Sequence, residues 1–85
     1  MVGFMLFEVD ASSGSVLGLG RHEMTVLPRL GDFVEVDDSG AAVYFEVIAV
    51  TLADRDDPTA AADVHTRRVG EFEKHLHAIR SRAGA

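Results

Sequence analysis

An α+β fold, a small antiparallel β-barrel of about five strands with one C-terminal amphipathic helix, is what this sequence predicts. Three observations carry it. Short stretches rich in β-branched and aromatic residues recur along most of the chain, turn residues punctuate them, and only the final segment carries apolar residues at helical spacing. With 85 residues the chain is read as a single domain, residues 1–69 forming the barrel and 71–83 the helix. A core of this size is only just sufficient, which favours self-association.

The central signal is a hairpin. Phe33 to Asp37 alternates apolar and polar, Asp38-Ser39-Gly40 offers a turn with a glycine for positive φ, and Val43 to Leu52 is the most β-prone run. In that run Val43, Phe45, Val47 and Ala49 are assigned to one face, Tyr44, Glu46, Ile48 and Val50 to the other. Val2 to Val9 is apolar on both alternating faces, as expected of a strand covered on both sides or lying at a subunit interface. Asp10 to Gly14 reads as a turn, and Gly18 and Gly20 interrupt the strand that follows, marking a bulge or barrel corner. Arg21 to Leu27 alternates again until Pro28, which lacks an amide hydrogen for the ladder.

Residues 53–63, with Asp54, Asp56, Asp57 and Pro58, read as an acidic loop. Two readings are open beyond it. In the first, Val64 to Val69 is a polar edge strand, Gly70 stops it, and a helix begins at Glu71 with Phe72, Leu76, Ile79 and Ala83 on one stripe. In the second, a single longer helix starts at Pro58, capped by Asp57 and continuing the stripe through Ala62, His65 and Val69. The first is preferred, because the second places Gly70 mid-helix at a cost of roughly 1 kcal/mol and adds three β-branched residues.

Composition bounds function. Nearly half of the residues are apolar (47%) and 26% are charged, enough to build a core and too apolar for a disordered chain. No cysteine is present, which removes disulfides, thiolate catalysis and cysteine-bound zinc, and inclines the reading to a cytoplasmic protein. The first nine residues lack the basic region and cleavage site of a signal peptide, and no apolar run reaches the eighteen or so residues of a membrane span.

Charge is unevenly spread. Residues 1–64 carry three arginines against twelve carboxylates, whereas residues 65–85 carry five cations against two carboxylates; the net charge is −6. An acidic body opposes wrapping of a polyanion. Phosphate contacts could only come from Arg67, Arg68, Lys74, Arg80 and Arg82, and a solvated face complementing the acidic body is the preferred reading of these five.

Candidate chemistries fail one after another. His22-Glu23-Met24-Thr25-Val26 starts like a zinc-protease helix but has valine where the second histidine must be. His75 and His77 lie about 200° apart on a helix and cannot share a metal; Glu71 with His75 and Glu73 with His77 are instead expected as exposed i,i+4 pairs. The acidic loop lacks the ligand spacing of a calcium site, Gly18-x-Gly20 is too short for a dinucleotide fingerprint, and Ser15 has no assignable base. No catalytic residue, metal or cofactor is therefore assigned, and the chain is read as a non-enzyme.

The order of parts can be compared with known folds. An apolar first strand, a turn, a second strand, then Leu27-Pro28-Arg29-Leu30-Gly31-Asp32-x-Val34-x-Val36, a hairpin and Tyr44-x-x-Val47-x-x-Val50 resembles small SH3-like β-barrel proteins, including short uncharacterised bacterial ones. The resemblance spans residues 1 to about 69 and implies a fold; members of that class serve as protein-interaction, nucleic-acid-binding and assembly modules. The expected function is a non-enzymatic protein-interaction or assembly module, homo-oligomeric, its candidate interface Phe72, Leu76 and Ile79. The alternative is a nucleic-acid-binding barrel using the five C-terminal cations.

Overall fold

The directions of the strands decide this fold. In the computed structural model, which describes residues 1–54, 56 and 60–84, the chain runs through β1 (Val2–Val9), β2 (Val16–Met24), β3 (Phe33–Asp38), β4 (Ala41–Leu52), β5 (Ala62–Gly70) and α1 (Phe72–Gly84). Hairpins reverse the chain between β1 and β2 and between β3 and β4, and β5 returns antiparallel along β4. First and fifth strands then point the same way. The two halves join along them in a parallel pair, Met5 opposite Asp63 through Glu8 opposite Thr66. The sheet, in the order β2-β1-β5-β4-β3, is therefore mixed, which corrects the expectation of an antiparallel one. It curls into a half-barrel.

Local chemistry sets each bend. The Asp10 carboxylate accepts the Ser12 amide (2.8 Å), the Ser12 hydroxyl (2.7 Å) and the Ser13 amide (3.3 Å), closing the first turn. These bonds, the Ser12 hydroxyl foremost, hold its pKa below the usual value. At the β3–β4 turn Ser39 (φ 54°) and Gly40 (φ 87°) both adopt the left-handed region that a two-residue type I′ connection needs. Leu6 pairs with Gly20 and Phe7 with Gly18, so Leu19 is an extra residue, the bulge that the two glycines foretold.

Two further bulges were not legible. Val47 faces Thr66 and Ala49 faces His65, leaving Ile48 over and inverting the alternation of β4. Val43, Phe45 and Val47 are buried as expected, but Ala49 turns outward and Val50 packs on the core instead. The core comprises Phe4, Leu6, Val34, Val47, Ala62 and Val64 with Val43 and Phe45 beside them. Buried Thr66 is satisfied by donating its hydroxyl to the Phe7 carbonyl at 2.7 Å.

Residues 62–70 form a strand and the helix follows Gly70, which sets aside the long-helix reading, but the strand is central between β1 and β4, with Ala62, Val64 and Thr66 buried, and not the edge strand expected; Asp57 and Pro58, the long helix's expected cap and first residue, lie outside the described residues. Helix α1 lies on the convex face of the sheet over β4 and β5 and buries no residue completely. It is anchored by aromatic stacking. The His75 ring lies parallel to Tyr44, centroids 3.9 Å apart, and meets the Phe33 ring edge-on at 4.8 Å. His75 is thus half-buried against the sheet and not the exposed partner of Glu71 that the sequence led one to expect.

Candidate functional site

A half-barrel leaves a gap, and this one opens between β2 and β3, the two edge strands. At one end of the gap lies a cleft of about 420 Å³ touching both strands. Leu19, Val36 and Phe45 give it apolar walls, and the exposed Leu17 stands at its rim. Asp37 and Asp38 line the β3 side. A smaller hollow of about 290 Å³ continues the gap past Met24, Val26 and Pro28 on one side and Phe33 and Val34 on the other.

Two polar groups within the cleft, His22 and Arg68, are already committed. His22 donates from Nε2 to the Leu19 carbonyl at 3.2 Å and stacks on Phe4, contacts that fix its ring. Arg68 is bonded to the Glu8 carboxylate at 3.3 Å and lies over the Phe45 ring, 5.2 Å from its centroid. Asp37 meets no cation, and Asp38 has only the Ser39 hydroxyl at 3.4 Å, among the described residues. Binding of a cation by this wall would therefore break no existing ion pair.

The expected phosphate contacts are divided among different tasks. Arg67 donates from Nε to Glu46 at 3.0 Å, and Arg82 bonds both Glu46 and the Gly31 carbonyl (2.7 Å) while covering the Phe33 ring at 4.2 Å. With Arg68 on Glu8, three of the five cations are neutralised by carboxylates; Lys74 and Arg80 have no such partner among the described residues. The Glu46 carboxyl, bonded first of all by Arg67 and also by Arg82, is held below its usual pKa despite an opposing effect of burial. Arg82 fastens the helix to the sheet, whereas Arg67 and Arg68 tie β5 to β4 and to β1. They do not form a continuous cationic track.

The candidate interface residues lie on the flank of the helix. Phe72 (56% exposed) and Ile79 (41%) are open, Leu76 is half-buried, and their stripe is turned roughly 75° from the direction of His75 and Arg82 that faces the sheet. Among the described residues no three histidines or carboxylates are placed to hold a metal ion, and no helix is long and apolar enough to cross a membrane. The cleft residues Leu17, Leu19, Val36, Asp37 and Asp38 were missed by sequence reasoning. Only the alternation of Val34 and Val36 with Glu35 and Asp37 hinted at a two-faced edge, and nothing local brings β2 opposite it.

Comparison with known protein families, curated proteins and solved structures finds no match to this chain.

Proposed function

We propose that this chain is a non-enzymatic protein-interaction or assembly module of SH3-like small-barrel type, acting in the cytoplasm through the gap between β2 and β3. The observation that carries the reading is the pair of unpaired strand edges flanking an apolar cleft. An edge strand presents free amide and carbonyl groups, and a partner that supplies a strand satisfies them while side-chain pockets select it. The cysteine-free composition supports the location.

A photoreactive residue in place of Leu17, at the rim of the cleft, tests this in cells of the source organism. A discrete partner cross-linked there and absent from the same replacement at the exposed Leu52 supports the reading; no partner, or the same products from both positions, rejects it.

Self-association is a second reading, favoured by the open stripe of Phe72 and Ile79. Nucleic-acid binding stays the weaker alternative, since it would draw on Lys74 and Arg80 with three arginines already paired.

A further inference from the structure

We propose that the occupant of the gap is a short extended segment of a basic protein, with lysine or arginine at alternate positions, added as a sixth strand along β3. The inference rests on the interaction-module reading and names its partner class.

Backbone geometry comes first. The Val47 amide donates to the Asp32 carbonyl, and hydrogen-bonded pairs alternate along an antiparallel ladder, so Val34, Val36 and Asp38 point their amides and carbonyls at β4. Phe33, Glu35 and Asp37 point theirs outward, and no backbone partner meets them among the described residues. This edge can receive about five residues of an added strand, at 3.3 Å per residue.

Side chains then set the pattern of that strand. By alternation Glu35 and Asp37 share one face of β3 and Val34 and Val36 the other, where the cleft with Leu19 and Phe45 begins; Asp37, next to the turn, also borders that cleft. A paired strand would set its alternate residues beside these two rows. Cations suit the first row and apolar side chains the second; the Asp38 carboxylate at the end of the cleft can take one further cation, whose aliphatic stem lies along Leu17 and Val36.

Charge selects between occupants. Arg68 beside the cleft is held by Glu8, Arg82 above Phe33 by Glu46 and Arg21 by Glu23, whereas Glu35, Asp37 and Asp38 form no ion pair among the described residues. A second copy adding through its own β3 would oppose Glu35 and Asp37 to the same residues, and like charges directly opposite are destabilising. A nucleic-acid strand would meet the same carboxylates.

The test uses the isotopically labelled full chain and three synthetic peptides: acetyl-Lys-Val-Lys-Val-Lys-amide, its counterpart with glutamate for lysine, and the lysine peptide N-methylated throughout. The first is expected to shift the amide resonances of Phe33, Glu35 and Asp37 and to slow their hydrogen exchange. N-methylation, which keeps every side chain and removes the peptide's amide donors to the ladder, should weaken binding at least about tenfold, as should the exposed double replacement Asp37→Asn with Asp38→Asn. The glutamate peptide should not bind. Equal binding by the N-methylated or the glutamate peptide overturns the inference, and so does the absence of shifts along β3 at millimolar peptide. If β3 stays silent while the Leu17 cross-link still captures a partner, only the strand-addition inference falls; if Leu17 captures nothing, the module reading falls as well.

Discussion

Tyr44 and Glu46 sit two residues apart on one face of β4 and carry most of the chemistry beneath α1. The Tyr44 phenol has its pKa pushed above the usual value near 10, by burial under the helix first, then by the charge of Glu35 and the hydrogen bond to it. The folded chain holds that proton more tightly than the unfolded one. This contribution to stability is therefore complete below pH 10 and fades as the pH climbs through the folded value. Tyr44 is the only tyrosine, so an ultraviolet titration reads it alone. We expect a midpoint above 10 that moves down in Glu35→Gln. Glu46 behaves in the opposite sense: its lowered pKa adds stability above the usual carboxylate value of 4.5, lost as the pH falls through the folded value. Melting curves from pH 6 downward should show a larger loss in the natural chain than in Glu46→Gln, which is already less stable at pH 6 and keeps only the contribution of other carboxylates such as Asp10; equal pH dependence of both would contradict this assignment.

At the scale of elements, α1 is held by specific contacts and little burial. No residue of the helix is fully buried, and its attachment depends on the His75 stack, the Arg82 bonds and the acidic Glu73 and basic Arg82 at opposite ends of its dipole. An isolated helix of 13 residues is marginal in water, so its order depends on this docking. We expect His75→Ala with Arg82→Ala to speed hydrogen exchange of the α1 amides by about tenfold or more while the amides of β1 and β5 keep their protection. Loss of protection in both would show that the helix is part of the core's cooperative unit. The strands differ in kind: β1, β5 and β4 are paired on both sides, whereas β2 and β3 each expose one edge.

For the whole molecule, the decisive quantity is what covers the surfaces that one chain leaves open. Phe72 and Ile79 stand exposed on the free flank of α1, and a stable dimer built on them would hide both. If the chain self-associates there, Phe72→Asp with Ile79→Asp should reduce the solution mass to that of one chain without lowering the melting temperature by more than a few degrees. An unchanged mass would move the interface elsewhere. The gap between β2 and β3 is a separate surface, so its occupancy should survive that double replacement.

By itself, the sequence determined the local devices. Alternation marks most strands, Asp10 and Asp38-Ser39-Gly40 specify the turns, Gly18 and Gly20 mark the first bulge, and the 4, 3, 4 spacing of apolar residues marks the helix, because each of these depends on residues within a few positions of one another. Tertiary structure decided the rest. The bulges at Ile48 in β4 and Val69 in β5 arise between residues that already satisfy strand propensity, and the one at Ile48 turns Ala49 out and Val50 in. The parallel union of β1 with β5 follows from how many times the chain reverses and which strands meet. The same union leaves β2 and β3 as the edges, so the acidic, apolar-walled cleft is made by residues far apart in sequence. No local pattern encodes that meeting; the closure of the sheet does.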